Sequence, residues 1–159
     1  RRLVDQLRPG TPVLFAGPYG IFSDAARTAP DVVLVGFGVG VGPVRALLEE
    51  TDFAPGCATV ILRAGTEDGL VLAREVEELC RLRGARFVPL VWHRGVRPDG
   101  SDSWLPAPWG DLTLTDIVPR LDEADVYVCG PDAAARLVLA DAAAAGVPRE
   151  RLHHERFGW

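Results

Sequence analysis

The stretch Val32–Glu50, VVLVGFGVGVGPVRALLEE, decides the fold. It opens on Val32-Val33-Leu34-Val35, an apolar, mostly β-branched run of the kind buried on both faces of a parallel sheet. A glycine-dense turn follows, Gly36-Phe37-Gly38-Val39-Gly40-Val41-Gly42. Pro43 then stands where the first turn of a helix tolerates a missing N–H, and Val44–Glu50 continues as helix. Strand, glycine turn and helix make a phosphate cradle: glycine lets the backbone approach a pyrophosphate, and the free N–H groups of a helix start point at it. The plainer alternative is the tight βα turn of any α/β protein. The dinucleotide fingerprint GxGxxG is not met in either register, because its third glycine would fall on Val41 or on Pro43.

Outward from this stretch the chain keeps alternating. Ala58–Arg63 reads as a second buried strand, and Ala64-Gly65-Thr66-Glu67-Asp68 caps a helix over Leu70–Arg83 that Gly84 ends. Arg86–Trp92 is a third strand. A long polar connection, His93 to Gly110, leads on to a short helix or turn within Asp111–Leu121. Trp104 and Trp109 are expected to pin that connection down by their apolar bulk. Within Asp125–Asp132 a four-residue fourth strand ends on Cys129; Gly130-Pro131 starts a helix over Ala133–Ala145, which Gly146-Val147-Pro148 stops. Alternation over Arg151–Trp159 suggests a last edge strand or a frayed tail. Strands and helices joined by short links predict an α/β fold, a three-layer Rossmann-like parallel sheet with helices on both faces.

Composition sets the outer limits. The chain has 159 residues, enough for one packed core, with 48% hydrophobic and 25% charged residues. A net charge of −5 without a basic block argues against a nucleic-acid surface. No apolar run approaches the ~20 residues that span a bilayer, and no signal peptide follows Arg1-Arg2. Cys57, Cys80 and Cys129 lack CxxC spacing and fit free thiols in a reducing, cytoplasmic compartment. His93 has no second ligand at metal spacing, so no metal site is expected. With no Met anywhere, the expectation is a piece cut from a longer chain.

Two further positions bear on chemistry. A dinucleotide-binding dehydrogenase places an acid at the end of its second strand to hold the ribose 2′-hydroxyl. Here that strand ends on Arg63, which suits a 2′-phosphate, or is a solvated strand end or a structural ion pair. Thr66 stands where a second contact belongs, while Glu67 and Asp68 would repel phosphate. The choice between NADPH and NADH stays open. Cys129, before Gly-Pro at a strand end, reads on its own as a small core residue.

Taken together, these segments resemble the ferredoxin–NADP reductase superfamily, and most of all the NAD(P)-binding domain of its ferric-reductase and NADPH-oxidase-type members. Gly38-Val39-Gly40-Val41-Gly42-Pro43 resembles that family's GVGxTP turn, with Gly42 in place of its Thr or Ser. Tyr127-Val128-Cys129-Gly130-Pro131 resembles its YxCGP motif, and His153–Gly158 its closing HxExFG strand. Pro9–Phe22 is similar to the last strand and exit loop of its flavin-binding barrel. The resemblance implies a division into residues 1–29, the barrel's end and linker, and residues 30–159, the NAD(P)-binding domain. It implies that NADPH or NADH is held by Gly38–Pro43, Arg63, Thr66, Cys129, Gly130, Pro131 and Asp132. Cys129, Glu155, Phe157 and Trp159 would then border the reacting atoms, with Phe157 and Trp159 rivals for stacking on the flavin. FAD would be held mainly by an upstream domain, beyond which a haem-bearing membrane domain is expected. The implied reaction is hydride transfer from the nicotinamide to FAD and one-electron release to haem, ferric iron or oxygen. Two other classes remain at this stage: a non-redox nucleotide-binding regulatory module, and an interaction domain without nucleotide affinity. A serine hydrolase is excluded, because no GxSxG elbow exists and Ser23, Ser101 and Ser103 lie in loops.

Overall fold

The computed structural model describes residues 8–12, 14 and 22–156. Most of the Pro9–Phe22 stretch, at 13 and 15–21, and Phe157 and Trp159 lie outside the described residues.

Five parallel strands form the centre: β1 (Asp31–Phe37), β2 (Ala58–Ala64), β3 (Arg86–Val91), β6 (Ala124–Gly130) and β7 (Leu152–Arg156). Their spatial order is β3-β2-β1-β6-β7, and a separate antiparallel hairpin is made by β4 (Arg94–Val96) and β5 (Asp102–Pro106). The helices are α1 (Val41–Glu50), α2 (Ala73–Arg83), the single turn α3 (Leu114–Ile117) and α4 (Asp132–Ala144).

Because side chains alternate across a strand, each central strand feeds two cores. Val32, Leu34, Val60, Leu62, Tyr127 and Cys129 pack with Val44, Leu47 and Leu48 of α1 and Val76 and Cys80 of α2. Val33, Val35, Ile61, Val126 and Val128 pack with Ala135, Val138 and Ala142 of α4, together with Trp104 and Leu114. These are the three layers that the alternation predicts.

The chain crosses from one half of the sheet to the other between β1 and β6, so their carboxyl ends form the topological switch point where open α/β sheets bind ligands. Residues 22–29 run beside β6 from Tyr127 back to Asp125, toward the amino edge where β1 begins. Asp125, near the start of β6, accepts the N–H groups of Thr28 (2.8 Å) and Ala29 (2.6 Å), and Tyr127 further along donates to the Ser23 carbonyl (3.1 Å). Phe22 meets the Tyr127 ring edge-on at 5.4 Å. His153 of β7 holds the other oxygen of Asp125 through Nε2 at 2.7 Å, and its ring stacks on Tyr127 at 4.1 Å. A fully buried carboxylate with three donors fixes the approach of the chain to its first strand.

Several expectations are corrected. β1 runs on through Gly36 and Phe37, because both continue its ladder to β2 and β6, so the turn proper is shorter. The α2 helix starts at Ala73, behind a 3-10 turn at Glu67–Gly69 and a left-handed Leu72 at φ +58°. The connection from His93 to Gly110 contains the β4–β5 hairpin. Gly95 and Gly110 approach so closely that a Cβ on Gly95 would lie 2.7 Å from the Gly110 Cα. Trp104 pins that hairpin as expected, fully buried with its indole N–H on Asp141 at 2.7 Å, but Trp109 is 46% exposed.

Candidate functional site

The glycine turn sits on the switch point. Gly38 has φ +54°, a conformation that glycine adopts without strain. Space is open beside it: a Cβ on Gly38 or on Gly42 would meet no atom within 4 Å. Gly40 is the opposite case. A Cβ there would fall onto the carbonyl oxygen of Cys129 and lie 2.7 Å from its carbon. The turn therefore packs backbone to backbone against the end of β6, and α1 begins directly above it at Val41. Gly38, Val39 and Gly42 are exposed, whereas Gly40 and Val41 are buried and Pro43 is half-buried in the first helical turn.

Cys129, Gly130 and Pro131 border this turn on the β6 side. The Cys129 thiol is fully buried in the core beneath α1. Burial, with the nearby charge of Glu155 second, pushes it up to about 12, so the sulfur stays a neutral thiol at any physiological pH. What Cys129 presents to the edge is its carbonyl. Glu155 pairs with Cys129 in the β6–β7 register and is half-buried, so the structure brings these two predicted residues together. Gly130, at φ +156°, has no room for a side chain: a Cβ would lie 2.6 Å from that of Phe37. Asp132 begins α4 and accepts from Arg136 at 2.7 Å.

A cavity of about 430 Å³ opens beside the turn, between the ends of β2 and β3 and the Pro131–Ala134 segment. This lies within the range of small-ligand sites. Arg63 lines it, but the solvated strand end that the sequence allowed is corrected. The residue is 4% exposed, donating from Nε to the Trp104 carbonyl at 3.0 Å and from Nη1 to the Ala64 carbonyl. Burial first, and the charge of Arg94 second, pull its guanidinium below the usual arginine range. The exposed cation of the cavity is Arg94, with His93 beside it. Among the described residues Arg94 has no salt bridge, and no carboxylate lines the cavity. Glu67 and Asp68 face a different groove, shared with Arg74 and Trp109. Thr66 is exposed at the base of the Glu67–Gly69 turn and does not line the cavity.

Three contributors escaped sequence reasoning. Phe37 fills the space between Gly130 and Trp104, meeting the latter ring at 6.4 Å. Arg94 stood inside an apparent loop. Trp92 is 58% exposed on the cavity rim with φ +131°, a strained conformation for a side-chain-bearing residue costing about 1–3 kcal/mol. Only the positive φ marks it out, and that has no sequence signature.

No family model matches the chain. It is 27% identical over 157 residues to a flavohemoprotein of Vibrio cholerae, covering 98% of this chain and 38% of that protein. It is 29% identical over 171 residues to the reductase component of propane 2-monooxygenase of Rhodococcus jostii, covering 98% and 43%. The chain thus spans about two fifths of these curated relatives. The flavohem-like FAD/NAD-binding domain of nitric oxide dioxygenase from Vibrio cholerae superposes with a TM-score of 0.60 at 27% identity, over 83% of this chain and 52% of that one. The relatives are a flavohemoprotein and a reductase component, the structural neighbour is a flavohem-like FAD/NAD-binding domain, and the chain is consistent with the NAD(P)-binding domain of the ferredoxin–NADP reductase superfamily.

Proposed function

We propose that the chain is the NAD(P)H-binding part of a flavin-dependent oxidoreductase. One observation carries the reading: the glycine turn and Cys129-Gly130-Pro131, far apart in sequence, touch through their backbones at the switch point. The residues present fit a nicotinamide nucleotide. Gly38–Gly42 and the start of α1 offer the pyrophosphate a backbone cradle with open space above it. Arg94, with Arg63 behind it and no carboxylate in the cavity, suits a 2′-phosphate and inclines the site to NADPH. When bound, the nucleotide supplies a hydride to FAD, from which electrons pass singly to an acceptor such as haem, ferric iron or oxygen. The chain itself positions and shields. Gly130, Pro131 and Glu155 border the redox end, and the neutral thiol of Cys129 fills the core beneath it without moving a proton. The roles of Thr66 and Asp132 as further nucleotide contacts, and of Phe157 or Trp159 as the aromatic shield on the flavin, belong to this proposal.

So does the division of the chain, with residues 1–29 closing a flavin barrel and residues 30–159 forming the nucleotide domain. The anchoring of residues 22–29 on Asp125 and Tyr127 supports it, because that path brings an upstream domain to the β6–β7 side of the site. Kinship with ferric-reductase and NADPH-oxidase-type chains rests on the stretch Gly146–Phe157 that follows Cys129-Gly130-Pro131, and a haem-bearing membrane domain upstream and a cytosolic position follow from that kinship alone. Among the described residues no helix is long and apolar enough to cross a membrane.

The test is calorimetric titration with NADPH, NADH and 2′-phospho-AMP, followed by anaerobic stopped-flow on a longer chain carrying the barrel and FAD. Binding together with flavin bleaching is the expected result. Binding without bleaching in the FAD-loaded chain would turn the reading into that of a non-redox nucleotide module, for which the comparisons give no support.

A further inference from the structure

We propose that His153 is a positioning residue for the redox end of the site, fixing the place of Glu155 through a buried tie to the segment that enters the domain; this rests on the flavin and nucleotide reading above. Among the described residues β7 is an edge strand, paired to β6 alone. Side chains alternate along a strand, so His153 and Glu155 project from the same face of β7, about 6.6 Å apart. In register they stand opposite Tyr127 and Cys129. Whatever holds His153 therefore sets the height and tilt of Glu155 at the carboxyl edge.

Asp125 provides the hold, and its two oxygens divide the work. His153 Nε2 donates to Oδ1 at 2.7 Å, while Oδ2 accepts the N–H groups of Thr28 at 2.8 Å and Ala29 at 2.6 Å. The pair is shut off from water, His153 at 2% and Asp125 at 0% exposure. With both oxygens accepting, the imidazole hydrogen sits on Nε2 and Nδ1 is a bare acceptor, without a hydrogen-bond partner among the described residues. A phenyl ring could make the same stack on Tyr127, now 4.1 Å between centroids, and would bury no orphan nitrogen. The imidazole is thus there for its one donor. Tyr127 repeats the connection: stacked on His153, it donates to the Ser23 carbonyl at 3.1 Å and meets the Phe22 ring edge-on. Arg151, just before β7, reaches Thr28 Oγ1 from its Nε at 3.3 Å. The closing strand and the entering segment, far apart in sequence, are fastened to each other through two side chains of β6. In the functional reading the entering segment comes from the flavin domain and Glu155 borders the reacting atoms, so this tie sets the one against the other.

His153→Phe and His153→Gln separate the donor from the ring. The first keeps the stack and loses the N–H; the second keeps an amide N–H near the Nε2 position and loses the stack. Both belong in the longer chain carrying the flavin domain and FAD, followed by hydrogen exchange and by anaerobic stopped-flow. In His153→Phe the amides of residues 22–29 and of β7 should exchange faster together, with those of α1 unchanged. The limiting rate of flavin reduction by NADPH should fall about tenfold or more. The NADPH concentration giving half that rate should move by less than about twofold, because the cradle lies on other strands. His153→Gln should restore most of the protection and of the rate. A full rate in folded, FAD-loaded His153→Phe would overturn the positioning role and leave the tie a matter of stability. Faster exchange of β7 without that of residues 22–29 would overturn it too, because Asp125 would then transmit nothing. Should His153→Phe fail to fold, His153→Gln decides: a rate within about twofold of the unsubstituted chain supports the donor, and a loss of about tenfold in the folded chain overturns it. Failure of NADPH and NADH to reduce the flavin of the unsubstituted longer chain would remove the redox reading, and the proposal with it, before any variant is compared.

Discussion

The centre and the flank of the carboxyl edge are assembled on different principles. At the centre, where β1 meets β6, the working groups are backbone. Gly38 turns left-handed, Gly40 presses on the Cys129 carbonyl, and Gly130 leaves no room beyond Phe37. At the flank, where β2 and β3 meet the β4–β5 hairpin, the working groups are side chains. Arg63 is buried on the Trp104 carbonyl, Trp104 is tied to Asp141 of α4, and Arg94 and Trp92 face outward. A site made of backbone needs particular residues at adjacent positions, and so writes itself into a short motif. A site made of side chains is held together by packing between segments far apart in sequence and leaves no such trace.

The sharpest way to break the comparison is Gly40→Ala. A methyl group has nowhere to go but into the Cys129 carbonyl, and neither backbone can yield without shifting a central strand. A loss of about 3 kcal/mol or more in urea unfolding is expected, and NAD(P)H-dependent flavin reduction should vanish in the flavin-loaded longer chain. Gly42→Ala, in open space, is the control and should leave stability within about 0.5 kcal/mol of the unsubstituted chain.

On the flank the two arginines should separate stability from binding. Removing Arg63 in Arg63→Ala strips the buried Trp104 carbonyl of its donor and leaves a hole, costing about 2–4 kcal/mol. Arg63→Lys should not rescue it, because an ammonium cannot reproduce the fork that serves two carbonyls. Arg94→Ala should leave the melt unchanged and weaken NADPH about tenfold, with NADH little affected. If instead Arg63→Lys keeps full stability and loses NADPH selectivity, the buried arginine is the phosphate ligand and the division between the two residues fails.

That division also explains what was legible. The order of strands and helices and the two apolar faces of the sheet followed from apolar runs and glycine chemistry, which act over a few residues, whereas the joint role of Gly38–Pro43 and Cys129–Pro131 came from the family resemblance. Arg63 was legible as a cation at a strand end but not as a buried one, because its acceptor lies on β5, within what looked like a polar loop. The hairpin itself was hidden because its short strands lack a long alternating run, and the close approach of Gly95 to Gly110 that folds it over is a tertiary contact. Arg94 inherited that blindness. Phe37 was counted as part of the turn because glycines flank it, although it completes β1 and walls the site.

The smallest effect, absent at neutral pH, compares the two regions through their thiols. Cys129 belongs to the centre and Cys80 to the packing of α2 beside the flank, and both are buried in the core beneath α1 and α2. Burial pushes Cys129 up to about 12 and Cys80 up to about 11, against an ordinary value of 9.0. An acid whose native value is raised gives up its proton first in the unfolded chain. The stability tied to the neutral thiol is therefore complete below about pH 9 and drains away as the pH rises, at up to about 1.4 kcal/mol per unit for each thiol. The Cys80 contribution should be spent by about pH 11, while that of Cys129 continues to about 12. Tyr127, whose phenol burial also raises, adds a loss above about pH 10, so Tyr127→Phe is the proper background. In that background Cys80→Ala should roughly halve the decline between about pH 9 and 11, and Cys129→Ala should halve it there and remove the part that continues to about 12. Iodoacetamide at pH 8 should label the half-buried Cys57 ahead of either. Rapid labelling of Cys129 in the folded chain would mean that its sulfur opens onto the edge, and the centre would then carry a reactive side chain as well as backbone.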